Sequence, residues 1–315
     1  MMIYQLKIKR KYFNSVAKNV STKKAKYNKD ELGDLLINFG KNYLMHVRKN
    51  AWVKNNDLGY FIGYYDNDGN VLEDIKKEQI TLTGQVFALM GEVATNPQID
   101  KIINSVDKLL YEEKVGGYRL NTNFNEVKFN MGRLFGFGYG QKENGAMFSH
   151  MAIMYANSLY KNNRVKEGYK VINSIYNSAS NINTSMIYPG IPEYFNNEGR
   201  GMYHYLTGSA SWLLLTLIEE VFGIKRVYGN LLLSPKLLLN EFNNKKEASI
   251  KTLINNKVVE ITYVNMDKVE YGDYVIKAVY INDKSVNVSI TSKGAFIDLD
   301  KFDDINFVKV ILKKK

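Results

Sequence analysis

The chain has no cysteine, which removes disulfide staples, thiolate nucleophiles and zinc–thiolate centres at once. That absence fits a reducing interior, so a cytoplasmic location is expected. Histidine is scarce: His46, His150 and His204 are the three present, and none lies four residues from another. A two-histidine metal pair on one helix face is therefore excluded. Asp66-Asn-Asp-Gly-Asn70 opens like a calcium loop, but no glutamate closes it, and it reads better as a hairpin turn. Neither a metal nor an organic cofactor is expected. Long apolar runs are missing too. The best candidate, Trp212 to Ile218, is stopped by Glu219-Glu220, far short of the roughly 18 residues a membrane span needs. The first 28 residues lack the apolar core of a secretory signal and are Lys-rich with a single Arg, unlike an organelle transit peptide.

The net charge of +11 invites a nucleic-acid reading, which its distribution does not support. Residues 1–28 hold eight Lys/Arg and no acid, so the remaining 287 residues carry only three net positive charges. The 23 tyrosines are spread through helical and glycine-containing segments instead of alternating with basic residues along a groove. No nucleic-acid partner is expected.

What is present is helical periodicity. Apolar residues recur at three and four spacing in Leu32–Val47, Gly84–Ala94, Ile99–Tyr111, Met147–Tyr160, Val165–Ser178 and Thr207–Phe222. Long connections rich in Gly, Asn and Tyr separate these segments: residues 51–69, 116–125, 131–145 and 182–201. Connections of that length usually carry function. After Pro235 the pattern turns to β-branched runs, such as Val258-Val-Glu-Ile-Thr-Tyr-Val and Tyr274-Val-Ile-Lys-Ala-Val-Tyr-Ile, punctuated by Asn255-Asn and Asn282-Asp-Lys turns. The expectation is a mainly α protein with a C-terminal β domain. It comprises a basic leader over 1–29 whose folding is left open, a helical body over 30–234, and a small antiparallel β sandwich over 235–315.

The segment Arg200-Gly-Met-Tyr-His-Tyr-Leu-Thr-Gly-Ser-Ala-Ser-Trp212 places hydroxyls and a glycine at the mouth of a strongly apolar helix. Free N–H groups and the positive end of the helix dipole make such a mouth an anion site. Thr207 or Ser209 as an ordinary N-cap explains the same residues. Lys142-Glu-Asn-Gly-Ala-Met-Phe-Ser-His150 is a second polar cluster of the same build. Gly136-Phe-Gly-Tyr-Gly140 lacks the strand, the Gly-Lys-Ser/Thr ending and the acidic partner of a nucleotide loop. Aromatic faces and amides in wide loops suit a polyhydroxylated ring, so carbohydrate is the expected ligand class. Glu143 and Glu193 are the best-placed loop carboxylates for a two-carboxylate glycosidase. If phosphate attacks the anomeric carbon, one carboxylate fewer is needed, because the dianion is already a nucleophile and has only to be positioned.

Lys142–His150, Pro192-Glu-Tyr-Phe and Tyr205–Trp212 resemble the C-terminal half of the inverting glycoside phosphorylases related to cellobiose and chitobiose phosphorylase. Leu82-Thr-Gly-Gln-Val-Phe, Gly117-Tyr-Arg-Leu-Asn-Thr, Asn130-Met-Gly-Arg-Leu-Phe-Gly-Phe and Arg200-Gly-Met-Tyr-His-Tyr are most similar to the β-1,2-oligoglucan phosphorylases within that group. The resemblance runs from about Tyr43 onward. It implies part of an (α/α)6 toroid followed by a β domain, with inorganic phosphate as co-substrate and a β-glucooligosaccharide as substrate. It implies phosphate binding by His150, Thr207 and Gly208, and sugar contacts by Glu143, Lys142 and Gln85. For His150 an ordinary helix histidine is the competing reading, and Arg200 is open between pairing with a carboxylate and facing the anion.

The chain departs from the family in one respect that matters for chemistry. The family's general acid is an aspartate in an Asp-Trp-Asn-Asp type motif, and the two tryptophans here follow Ala51 and Ser211. Six helical segments are also half of what a toroid needs. The expectation is a chain inactive by itself that associates with the absent half or with a second copy. The alternative is a non-catalytic glycan- or phosphate-binding fragment or a degraded gene product.

Overall fold

The computed structural model describes residues 2–18, 24–188, 190–205 and 207–315, with side chains from Arg10 onward. It divides into two units, Met1–Val47 and Arg48–Lys315. The first contains helix α1 (Met2–Lys18) and most of α2 (Lys29–Asn50). The Asn28 side chain accepts the Asp30 N–H at 2.9 Å and starts α2, whose first turn carries Asp30 and Glu31 and whose last carries Arg48 and Lys49. Both charge placements complement the helix dipole. The expected leader over 1–29 is thus helical through Lys18, and the unit boundary falls after Val47 instead of before Asp30.

The second unit opens with a hairpin of β1 (Trp52–Lys54) and β2 (Gly59–Phe61), then α3 (Leu82–Met90) and α4 (Asn96–Leu110). The Gln98 side chain accepts the Thr95 N–H at 2.9 Å, and Pro97 stands in the first turn, so α4 begins where its sequence says it should. Its Ile99, Ile102, Val106 and Leu110 form the buried stripe. Strands β3 (Tyr111–Glu112) and β4 (Gly117–Tyr118) form a second short hairpin. Asp66–Asn70 is the turn expected: Asp66 Oδ1 accepts the N–H groups of Asp68 and Asn70, and Tyr65 pairs with Val71 across it.

Strand β5 (Met147–Phe148) leads directly into α5 (Ser149–Lys161), which is buried from Ala152 to Tyr160 and packs against α3 and α6 (Val165–Ser180). Gly168 lets α6 close on α5, since a β-carbon there would sit 2.5 Å from the Tyr160 ring. The short α7 (Ile182–Ser185) and strands β6 (Tyr194–Phe195) and β7 (Gly201–Met202) precede α8 (Gly208–Leu215). A π-helical turn, Thr216–Val221, continues α8. Each of the six helical patterns in the sequence therefore contains a helix.

The β region differs from expectation in two ways. It begins at β8 (Ile224–Val227) and β9 (Asn230–Leu233), before Pro235, because Tyr228 and Gly229 both take the positive φ of a tight hairpin turn. The remaining strands are β10 (Glu247–Ile254), β11 (Lys257–Val264), β12 (Tyr274–Ile281), β13 (Lys284–Ser285), β14 (Ser289–Thr291), β15 (Gly294–Ile297) and β16 (Ile305–Lys314). They make sheets ordered β14-β15-β9-β8 and β10-β11-β16-β12-β13. The second sheet is mixed rather than antiparallel: β16 returns between β11 and β12 and runs parallel to β11. Its alternation, with Asn306, Val308, Val310 and Leu312 buried, suits a central strand with one covered face. Both sheets feed one hydrophobic cluster, which also takes in Tyr160, Val165 and Val221 from the helices.

Candidate functional site at two helix mouths

Strands β5, β6 and β7 form a three-stranded ribbon that fixes the start of α5. The pairing runs one residue further, as the Ser149 N–H donates to the Glu193 carbonyl at 2.9 Å. At α8, Thr207 is the N-cap, and its Oγ1 accepts the Ser209 N–H at 3.3 Å and touches Ser209 Oγ. Ser209 Oγ in turn donates to the Pro192 carbonyl at 3.4 Å. Pro192-Glu193 thus ties the N-terminal ends of α5 and α8 together. The two mouths the sequence singled out share one wall.

His150, the second residue of α5, packs its ring on Gly208, the first of α8, and its centroid lies 6.3 Å from that of Trp212. Its Nε2 is buried without a hydrogen-bond partner. Burial pulls its pKa below the ordinary histidine value, and the Glu193 carboxylate works in the opposite direction. A buried imidazole nitrogen with no partner, beside a capped helix mouth, leaves a hydrogen-bonding position unfilled there. His150, Thr207 and Gly208 are brought together.

The loop before β5 supplies the next groups. Asn144 donates to the Phe137 carbonyl at 2.8 Å, which folds the loop back on itself, and Gly145 donates to Asn121 Oδ1 at 2.9 Å, which ties it to the segment after β4. Gly145 has a φ of +73°, with Tyr139 where a β-carbon would be. The turn ahead of it, Arg133–Gly136, is 3-10 helical. Lys142 Nζ lies 4.1 Å from the Tyr203 ring centroid and 5.8 Å from that of Phe137. The Tyr203 hydroxyl foremost, and Glu193 and Glu143 further out, hold the Lys142 pKa above its ordinary value. Glu143 Oε1 meets Arg133 at 3.3 Å, while its Oε2 is buried without a partner.

Gln85 is a correction. Its side chain is fully buried, its Oε1 accepts the Phe61 N–H at 2.9 Å, and its Nε2 donates to the carbonyls of Phe61 and Thr81 at 2.8 and 3.0 Å. The amide pins β2 to α3 and has nothing left for a sugar. Arg200 and His204 are exposed, and no described carboxylate pairs with Arg200. Glu193, which the sequence offered only as a loop carboxylate, stands at the centre of the cluster with Oε2 buried and unpartnered. Its signal was the Pro192-Glu-Tyr-Phe motif. Three concavities of about 410, 520 and 690 Å³ lie elsewhere; the 520 Å³ one is an apolar groove between α6 and α8, and none is lined by His150, Lys142 or Glu143. The polar geometry at the two mouths outweighs cavity size as a marker of chemistry here, because a site at helix mouths can be open on one side. Among the described residues no helix is long and apolar enough to cross a membrane.

An imidazole and a Thr-Gly helix cap thus lie together, and a lysine, two carboxylates and aromatic rings come from the adjoining segments. Comparison with known proteins makes the family explicit. Residues 2–223 match the glycosyl hydrolase 94 superfamily, catalytic domain, and the chain belongs to that family. The match takes in the basic leader, which the motifs had placed outside it. The chain is 23% identical over 245 residues to a cellobionic acid phosphorylase of Neurospora crassa, covering 71% of this chain and 31% of that protein. It is 22% identical over 254 residues to a solabiose phosphorylase of Paenibacillus borealis, covering 76% and 31%. The chain therefore spans about a third of the length of these relatives. A solved family GH92 alpha-mannosidase from Bacteroides thetaiotaomicron aligns with 81% of this chain and 28% of its own at 13% identity, with a TM-score of 0.25.

Proposed function

We propose that this chain carries the phosphate pocket and one wall of the sugar cleft of a glycoside phosphorylase. The enzyme would cleave β-glucooligosaccharides with inorganic phosphate to α-glucose 1-phosphate, with inversion. The observation that carries this reading is the unpartnered, buried His150 Nε2 set against Gly208 at the mouth of α8. A phosphate oxygen attacks the anomeric carbon, the glycosidic C–O bond breaks on the opposite face, and the departing sugar oxygen takes a proton from a carboxylic acid. His150, Thr207 and Gly208 seat the nucleophile, and Glu143 with Lys142 contacts the sugar. Both relatives are phosphorylases, which supports phosphate over water as the nucleophile. Similarity of the Leu82–Phe87, Gly117–Thr122 and Asn130–Phe137 motifs to β-1,2-oligoglucan phosphorylases supports β-1,2 linkage. On the same reading the helices α3–α6 and α8 form part of an (α/α)6 toroid.

No Asp-Trp pair occurs in the 315 residues, so the acid comes from polypeptide outside them, in a second chain or in more of the same one. General acid catalysis contributes about 10² to 10⁴-fold, and these residues alone should not turn over. That same absence favours the second reading, a glycan- or phosphate-binding fragment without catalysis. Two measurements separate the cases. Calorimetric titration with inorganic phosphate should show binding that His150→Ala abolishes; no binding by the unaltered chain sinks the phosphate pocket. Incubation with β-1,2-glucooligosaccharides and phosphate should yield no glucose 1-phosphate, and turnover by this chain alone refutes the need for an outside acid.

A further inference from the structure

The 690 Å³ concavity lies in the β region and shares no residue with the helix mouths. Its walls come from β8, β9, β14 and the start of β12, with the turns that join them. Small-molecule sites have volumes of about 300–1,000 Å³ and mostly apolar walls with a few placed polar groups. Leu232, Ile276 and Ile290 supply the apolar wall here. The Tyr271 hydroxyl donates to Asn163 Oδ1 at 3.1 Å, and the Tyr274 hydroxyl accepts the Leu237 N–H at 2.9 Å. These bonds fix two lining rings edge to face, with centroids 6.1 Å apart.

The charge of this concavity is one-sided. Lys225, Lys236 and Lys293 line it, and no aspartate or glutamate side chain does. Glu220, which is not a lining residue, meets Lys225 Nζ at 2.8 Å and Lys236 Nζ at 3.2 Å. One buried carboxylate thus answers two ammonium groups, while the Lys293 ammonium has no described partner. Lys315 also lines the concavity, but its ammonium is spent on the Gly272 carbonyl. An ammonium carries three N–H donors; Lys225 commits one of them to Glu220 and Lys293 commits none.

The backbone sets where Lys293 stands. Its N–H donates to Thr291 Oγ1 at 3.1 Å in the β14–β15 turn. Gly294 follows with a φ of +130°, where a β-carbon would lie 2.2 Å from the Leu233 carbonyl oxygen. The turn that carries the unpaired lysine is therefore pressed onto β9, beside Leu232. Like charges gathered at a concavity repel one another, and a bound anion offsets that cost. Three ammonium groups against one carboxylate leave two positive charges, which match a dianion. Lysine, a compact point charge with rotatable donors, suits a phosphate group. The space exceeds what a bare phosphate fills, and the tyrosine rings with Ser234, Ser292 and Asn163 suit a polyhydroxylated body.

We propose that this concavity is a second anion site, which takes a sugar phosphate: the phosphate group meets Lys225 and Lys293, and the ring lies against the tyrosine and apolar wall. The ligand is inferred from these residues alone and does not depend on the phosphorylase reading.

Calorimetric titration with glucose 6-phosphate, inorganic phosphate and glucose tests it. Glucose 6-phosphate should bind with a Kd below about 1 mM, inorganic phosphate at least roughly tenfold more weakly at this site, and glucose not measurably. Lys293→Gln should weaken glucose 6-phosphate about 3- to 10-fold and Lys293→Glu further, with circular dichroism confirming that both are folded. Lys309→Gln, which removes an exposed lysine outside the concavity, should change nothing. His150→Ala should also leave glucose 6-phosphate binding intact, and inorganic phosphate is measured in that variant so that the helix mouths do not contribute. No binding of glucose 6-phosphate overturns the proposal, as does binding that His150→Ala abolishes or that both Lys293 variants leave unchanged. Inorganic phosphate binding as tightly as glucose 6-phosphate in His150→Ala overturns the sugar phosphate as ligand. Loss of inorganic phosphate binding at the helix mouths alone bears on the phosphorylase reading and leaves this site standing.

Discussion

His150 and Gly208 are in contact so close that a β-carbon on Gly208 would lie 2.6 Å from Cε1, 2.8 Å from Nδ1 and 3.0 Å from Nε2 of the imidazole. The glycine is required by the ring and not by the backbone, because Gly208 is not among the residues with positive φ. Gly208→Ala should therefore displace His150, weaken phosphate binding at least tenfold, and cost about 1–3 kcal/mol of stability through overpacking. Removing the ring relieves the clash. In the double variant His150→Ala/Gly208→Ala the stability loss should be less than the sum of the two single losses, by urea denaturation. Additive losses would mean that the two residues are not coupled as described.

Gln85 separates structure from function in the opposite sense. Its amide makes three hydrogen bonds to the backbone of Phe61 and Thr81 in a place without solvent. Gln85→Ala leaves those groups unsatisfied and should cost roughly 3 kcal/mol. Phosphate affinity of the folded fraction should not change. A variant of unchanged stability that loses sugar binding would restore the cleft role that its motif implied.

These two positions show what the sequence makes legible. His150, Thr207 and Gly208 sit at helix beginnings, where local rules of capping and dipole already point to an anion. The structure joins two such beginnings through Pro192-Glu193. Gln85 sits in a motif of similar type, but whether an amide faces a cleft or the neighbouring strand depends on β2, 24 residues away, and no local pattern reports that. The helices were legible because their apolar spacing is local. The parallel placement of β16 was not, because alternation identifies a strand with one covered face and says nothing of which neighbours it has. The β8–β9 hairpin was overlooked since Leu231-Leu-Leu reads as readily as helix as it does as strand.

Glu241 should make the protein less stable as the solution becomes more alkaline. Burial raises its pKa to about 7, against the opposing effect of the Leu238 N–H that its Oε2 accepts at 2.7 Å, and Glu270 adds to the rise. A carboxyl whose folded pKa exceeds its unfolded value near 4.5 is bound to more protons in the folded state between those two values. Its stabilising contribution is full below about pH 4.5 and is lost as pH rises through about 7, to an extent of up to roughly 3 kcal/mol. Glu241→Gln keeps an acceptor for Leu238 and removes the titration. Urea unfolding at pH 5 and pH 8 should show a smaller difference in the variant; equal pH dependence would place the effect elsewhere.

Glu220 lies in the π-helical turn, 1% exposed, with Lys225 Nζ 2.8 Å from Oε1 and Lys236 Nζ 3.2 Å from Oε2. Lys236 also reaches the Tyr160 carbonyl at the end of α5, so a single carboxylate joins the helices to the strands that follow. Burial pulls the Lys236 pKa down and Glu220 resists it. Glu220→Gln should cost about 3–5 kcal/mol near pH 7, because it leaves a buried ammonium without its counter-charge. The loss should shrink as pH rises toward that of the free amine, since a lysine with a lowered folded pKa favours folding more once both states can shed the proton. Substituting both partners, as Glu220→Leu/Lys236→Met, should recover most of the stability, because an apolar pair carries no desolvation cost. A double variant as unstable as Glu220→Gln would mean that the pair holds the helix–strand junction by geometry that packing cannot replace.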